Sequence, residues 1–206
     1  MLVGKPAPEF RATAVVNGVI ERDFSLTDYI GEKYVLFFFY PKDFTFVCPT
    51  ELLGFQAALP EFAARDTVVV GCSTDSEYSH WAWCNTPREE GGIKGVSYPL
   101  VSDINKTIAD MYDVLAGERY LDEQGNTRVE GELVALRGLF LIDKQGIVRH
   151  MLVNDMPLGR SIQEAIRMVD ALQHYEAFGE VCPLDWHKGD TAMEATPEGV
   201  AAYLKS

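Results

Sequence analysis

Tyr34 to Leu52, YVLFFFYPKDFTFVCPTEL, holds the elements around which the rest of the chain is organised. Its opening, Tyr34 to Tyr40, is an unbroken run of aromatic and aliphatic side chains, the composition of a strand buried on both faces. Beyond it, Leu52, Leu53, Phe55, Leu59, Phe62 and Ala63 recur at helical spacing and give a helix one apolar face. The chain therefore runs strand, tight loop, helix. Pro49 suits the first helical position, because its missing N–H would be unpaired there and its φ is already helical. That puts Cys48 at the mouth of the helix.

A thiol so placed has altered chemistry. A free cysteine has a pKa of about 8.5 and is only slightly ionised at neutral pH. A mostly ionised thiol needs a drop of roughly two units, about 2.7 kcal/mol. A helix N-terminus contributes about 0.3–1 kcal/mol, or ~2 when partly buried. The helix alone is insufficient, so a cation must come from elsewhere in the chain, and Arg137 and Arg160 are the candidates.

Pro41, Thr45 and Cys48 (P-x-x-x-T-x-x-C), followed by Pro49, Thr50 and Glu51, resemble the peroxidatic motif of the peroxiredoxins. The extended form FYPKDFTFVCPTE is similar to the typical 2-Cys class, which includes the peroxidase subunit of bacterial alkyl hydroperoxide reductase. An inert buried cysteine is the ordinary alternative for a free thiol. The length of the motif, after a buried strand, favours the reactive one.

The chain has 206 residues and a formal net charge of −13. That length suits one α/β or β domain with a sizeable core. An acidic balance of this size disfavours nucleic acid and anionic membrane as partners. The opening MLVGKPAPEF has no basic and then apolar pattern, and no apolar run reaches membrane length, so neither a signal peptide nor a membrane span is expected. Cys48, Cys72, Cys84 and Cys182 are too sparse for a disulfide scaffold and form no C-x-x-C pair, which favours the cytoplasm. The histidines, His80, His150, His174 and His187, show no ligand spacing; no metal site and no cofactor are expected.

Two short strands flank Asn17-Gly18, the favoured pair for a two-residue turn, and predict a peripheral hairpin. Ser25 to Ile30 reads as a short helical turn. The β-branched run Thr67 to Ser73 predicts a second central strand, parallel to the first because a helix separates them. Cys72 there reads as a small buried side chain. Glu77 to Cys84 reads as a helix ended by Thr86-Pro87, with Trp83 as packing near the pocket. A helix is expected over Asn105 to Val114, and a hairpin or surface loop over residues 116–133.

Val134 to Asp143 and Ile147 to Val153 predict two more strands, the second an edge strand. Arg137 in so apolar a run is costly unless its charge has a partner, which makes it a functional candidate; a purely structural pairing with Glu51 is the alternative. Arg137-Gly138-Leu139-Phe140 also resembles the R-G-L-F segment carrying the active-site arginine of typical peroxiredoxins. Ser161 to Phe178 predicts an amphipathic helix with a capping box from Ser161 to Glu164. Arg160 stands just before it in PLGRS, similar to a family segment; read alone it is a solvated or a cap-proximal arginine, second to Arg137. The tail after Phe178 lacks strong periodicity, and its Gly179-Glu180-Val181-Cys182-Pro183 resembles the resolving-cysteine motif.

The resemblance implies a thioredoxin-like α/β fold: a central mixed sheet flanked by helices, with an N-terminal hairpin, a peroxidase domain over 1–178 and a tail over 179–206. It implies a thiol peroxidase acting on hydrogen peroxide and organic hydroperoxides. Cys48 would be oxidised, with Thr45 and Arg137 stabilising, Pro41 shielding the pocket and Glu51 orienting the arginine. Cys182 of the partner subunit would resolve the sulfenic acid. The implied assembly is a homodimer, with five dimers in a decamer, and the implied reductant is thioredoxin or a flavoprotein disulfide reductase. Gly91-Gly92-Ile93-Lys94 and Tyr203-Leu204 stand where sensitive members carry Gly-Gly-Leu-Gly and Tyr-Phe, so relative resistance to hyperoxidation is expected. The residues around 116–133 have no counterpart in the family pattern. Two rivals are a thioredoxin-fold dithiol oxidoreductase, opposed by the missing C-x-x-C, and an oligomeric holdase or peroxide sensor as an additional role.

Overall fold

The computed structural model describes residues 1–205. The chain divides into two compact units, Met1–Arg160 and the residues from Ser161 onward.

The first unit is built on a seven-stranded sheet that runs from edge to edge as β2 (Val19–Phe24), β1 (Ala12–Val16), β5 (Leu100–Ser102), β4 (Thr67–Ser73), β3 (Tyr34–Phe39), β8 (Arg137–Ile142) and β9 (Val148–Asn154). The predicted hairpin is there as β1 (Ala12–Val16) and β2 (Val19–Phe24), with Asn17 and Gly18 at φ 48 and 78, the positive pair that such a turn requires. β1 also pairs with β5 (Leu100–Ser102), so the hairpin is one edge of the main sheet. β3 (Tyr34–Phe39) is buried at every position and lies between β4 (Thr67–Ser73), parallel to it, and β8 (Arg137–Ile142), antiparallel. β9 (Val148–Asn154) is the other edge, as expected.

Alternation along β3 feeds two cores. Val35, Phe37 and Phe39 enter a cluster with Phe10, Tyr112 and Phe140, where the Phe37 ring lies 4.7 Å from Phe39 and 5.1 Å from Tyr112. Phe38 points the other way and stacks at 4.4 Å on Phe55 of α1 (Cys48–Ala63). α2 (Glu77–Asn85) packs on the β1 and β5 side. The result is the expected mixed sheet flanked by helices.

One segment differs from the sequence reading. The helix expected over Asn105 to Val114 is shortened to α3 (Thr107–Met111). The buried Asp103 carboxylate caps it by accepting the Ile108 and Ala109 N–H groups, while Lys106 (φ 62) and Asp113 (φ 58) bound it with left-handed turns that no helix can continue through. Over residues 116–133, expected as a hairpin or a surface loop, the chain forms the hairpin, β6 (Glu118–Leu121) paired antiparallel with β7 (Thr127–Glu130). Its turn is held by Asp122, which accepts the Gln124 and Asn126 N–H groups at 3.0 and 2.8 Å.

In the second unit, α4 (Ile162–Phe178) starts where the Ser161 hydroxyl accepts the Glu164 N–H at 3.2 Å and stops at Gly179, φ 71. The tail holds one further helix, α5 (Pro197–Tyr203), begun by Thr196 as cap and Pro197 in the first turn. Among the described residues no helix is long and apolar enough to cross a membrane.

Candidate active site

β3 ends at Phe39 and delivers the loop 41–47 to the start of α1. β8 runs antiparallel to β3, so its first residue, Arg137, lies at the same end of the sheet. Segments far apart in sequence thus meet at the carboxyl end of the central strand, where ligands gather in α/β sheets. Cys48 is the first residue of α1, and Glu51 follows one turn later on the same side.

Cys48 is buried. The Thr45 Oγ1 lies 3.0 Å from Cys48 Sγ and 2.9 Å from the Lys42 carbonyl oxygen. A hydroxyl has one proton. It can serve the carbonyl while accepting from an S–H, or turn to the sulfur once that sulfur is anionic. The Arg137 Nη1 approaches Sγ at 3.5 Å. Above them, Pro41, Thr45, Phe46, Arg137 and Met156 line an open pocket of about 530 Å³.

Arg137 is fixed by donating to Glu51 Oε2 at 2.7 Å and to the Met156 carbonyl at 2.6 Å. The pairing with Glu51 that served as the structural alternative is therefore present, and it aims the guanidinium at the sulfur as well. Arg160 corrects the sequence reading. It is not solvated: its side chain is fully buried, and its guanidinium contacts both Glu51 oxygens and the Phe39 and Gly138 carbonyls at 2.6–2.8 Å. Its planar fork also lies over the Phe38 ring, 5.0 Å from the centroid. Burial works against the Glu51 charge, but the hydrogen bonds and charge of Arg160, joined by the charge of Arg137, hold that carboxyl below its ordinary range. Two buried guanidiniums share one carboxylate, leaving one positive charge that an anionic sulfur balances.

Behind the loop lies a buried network absent from the sequence reading. His80 Nδ1 is 2.8 Å from Asp43 Oδ2 and its Nε2 3.1 Å from the Val101 carbonyl. Both ring nitrogens face acceptors, an arrangement that suits the imidazolium. Burial lowers the His80 pKa, but the Asp43 carboxylate outweighs it, and the net direction is upward. The Tyr40 hydroxyl donates to the other Asp43 oxygen at 2.9 Å, and the Asp43 N–H donates to Asp75 at 2.8 Å. Asp43 is thus pinned, while its neighbour Phe44 takes φ 53 and sets its ring 5.6 Å from the buried Trp83. A left-handed phenylalanine costs about 1–3 kcal/mol and persists only where its surroundings impose it.

The profile of the AhpC/TSA family matches residues 3–151, and that of the C-terminal domain of 1-Cys peroxiredoxin matches residues 171–206. The chain belongs to the peroxiredoxins of the AhpC/TSA family. Alkyl hydroperoxide reductase C of Helicobacter pylori is 50% identical over 206 residues, covering 100% of this chain and 97% of its own. Peroxiredoxin tpx1 of Schizosaccharomyces pombe is 50% identical over 197 residues, 95% of each chain. The reduced 2-Cys peroxiredoxin of Plasmodium vivax superposes with a TM-score of 0.89 at 44% identity over 100% of both chains. Those likenesses carry the thioredoxin-like fold and the thiol-dependent peroxidase activity.

In this peroxiredoxin the structure brings Pro41, Thr45, Cys48, Glu51 and Arg137 together. Cys182, the remaining expected site residue, lies in the second unit as a half-buried free thiol whose S–H points to the Ala171 carbonyl at 3.5 Å. Burial raises its pKa; Arg167 pulls the other way and Glu180 adds to the rise. Cys72 is buried, as expected, and burial drives its thiol well up. Cys84, also buried, is pushed to about 12, by burial and then by Asp43. Arg160 and His80 are the residues that sequence reasoning undervalued. For Arg160 the family-like PLGRS was the available signal; for His80 there was none, since its partner Asp43 is far away in the chain.

Proposed function

We propose that this thiol-dependent peroxidase uses Cys48 as the group oxidised by hydrogen peroxide and organic hydroperoxides. The carrying observation is the pair of donors on one sulfur, Thr45 Oγ1 at 3.0 Å and Arg137 Nη1 at 3.5 Å. The Cys48 thiolate attacks one peroxide oxygen, the O–O bond breaks, and the other oxygen leaves as water or an alcohol after taking a proton. Cys48 becomes a sulfenic acid. Thr45 and Arg137 stabilise the thiolate and the charge growing on the leaving oxygen; Glu51 orients Arg137, and Pro41 covers the sulfur from water.

Cys182 of the tail 179–206 then attacks the sulfenic sulfur, forming a disulfide and releasing water. The assignment of its partner follows the resemblance: the two sulfurs belong to opposite subunits of a homodimer, and five dimers build a decamer. A thioredoxin or a flavoprotein disulfide reductase returns the disulfide to thiols, and the compartment is the cytoplasm, where such reductants keep thiols reduced.

The test is intact mass and a non-reducing gel after one equivalent of hydrogen peroxide on wild type, Cys48→Ser and Cys182→Ser. A disulfide-linked dimer in wild type only, with sulfenic acid accumulating on Cys48 in the Cys182 variant, supports the cycle. An internal disulfide in a monomer, or an unreacted Cys182, defeats the resolving step.

A further inference from the structure

The rim of the pocket over Cys48 carries two charged side chains that the chemistry above does not use. Lys42, in the loop after β3, and Glu132, in the strap between β7 and β8, form an ion pair there. Glu132 is held in place by a close backbone approach: a Cβ on Gly117 would lie 2.8 Å from the Glu132 carbonyl oxygen, so the two strands of the hairpin base press together only because that residue is glycine. The nearby walls, Pro41, Phe46, Val47 and Met156, are apolar. Apart from Arg137, which is committed to Glu51 at the pocket floor, the mouth therefore offers an apolar surface and one ammonium whose charge a carboxylate cancels.

We propose that the Lys42–Glu132 pair is a charge filter for the substrate tail. This rests on the peroxidase reading of Cys48. With Glu132 in place, the mouth is neutral and accepts uncharged hydroperoxides with an apolar tail, while a carboxylate-bearing tail finds no free cation and meets the Glu132 charge. Without Glu132, Lys42 stands unpaired beside the entering tail and attracts an anionic one. A role as a mere clamp on the loop predicts something else. Both side chains are substantially exposed, so the pair stabilises the loop little, and any loosening would change turnover of every substrate by a common factor.

The experiment compares kcat/KM for a long-chain hydroperoxide ending in a carboxylate with that for its methyl ester, in wild type, Glu132→Gln, Lys42→Met and the double variant. Glu132→Gln raises the acid-to-ester ratio about three- to tenfold, and Lys42→Met lowers it by a similar factor. The double variant returns the ratio towards wild type, and added salt shrinks every difference. An unchanged ratio in both single variants, with hydrogen peroxide still turned over, overturns the filter. Failure of the wild-type protein to turn over hydrogen peroxide at all overturns the peroxidase reading on which the filter stands.

Discussion

Arg160 grips Glu51 by both oxygens: Nε donates to Oε1 and Nη2 to Oε2, each at 2.8 Å, and the Arg160 backbone N–H adds a third bond to Oε1 at 2.9 Å. Glu51 is thereby a fixed anchor onto which Arg137 swings its own guanidinium, and the arginine that touches the sulfur is positioned by one that does not.

Removing that anchor leaves two buried guanidiniums without their shared carboxylate. Glu51→Gln is expected to lower stability by about 3–5 kcal/mol, read as a fall in the urea midpoint, and to slow oxidation by peroxide. The Glu51 carboxyl is held below its ordinary range in the folded protein. Its contribution is therefore present above the ordinary carboxylate pKa and is lost as pH falls through the lower folded-state value. Wild type should lose stability there more steeply than Glu51→Gln.

Thr45→Val removes the hydroxyl that faces Cys48 Sγ at 3.0 Å and keeps the shape. The second-order rate with hydrogen peroxide, followed by stopped flow, should fall about 10²–10³-fold, the usual loss for one preorganised donor. Thr45→Ser should retain most of the rate. A Val variant as fast as wild type would remove the hydroxyl from the mechanism.

Arg137→Lys keeps a charge but loses the fork that spans Glu51, the Met156 carbonyl and the sulfur. A compact ammonium cannot make all three contacts. The variant should react with peroxide at least about tenfold more slowly, with Arg137→Gln slower still by roughly another order of magnitude.

His80 faces Asp43, Tyr40 and the Val101 carbonyl, with Asp75 one step away, and its pKa is raised. A group raised on folding stabilises below its ordinary value and loses that contribution as pH rises through the folded-state value. The urea midpoint of wild type should therefore decline from about pH 6.5 upward, and His80→Gln should flatten that decline. Equal slopes in the two proteins would show that the imidazolium is not the stabilising form.

Cys72 and Cys84 are held as neutral thiols by burial. Under native conditions at mildly alkaline pH, alkylation followed by peptide mass mapping should leave both unmodified. Both should also remain thiols after Cys48 has been oxidised.

Local signals carried much of this protein. The apolar run of β3, the Asn17-Gly18 turn, the β-branched β4 and the periodicity of α1 specify their elements from neighbouring residues alone, because burial and turn geometry act over a few positions. The motif from Pro41 to Glu51 is local too, which is why Thr45, Cys48 and Glu51 were readable together. Periodicity overextends α3, because its limits are set by the Asp103 cap and two left-handed residues that periodicity does not register.

Neighbouring residues alone specify the strand, loop and helix that place a thiol at a helix mouth, and they expose the oddity of an arginine in an apolar strand. The electrostatics around that thiol come from contacts made by folding. Arg160 looked solvated because nothing beside it in the chain could partner it, yet its acceptors come from Phe39, Glu51 and Gly138, and His80 finds Asp43 from another element. The charge of a buried group is settled by whichever groups lie within a few ångströms, and those are chosen by the order of strands in the sheet, not by proximity along the chain.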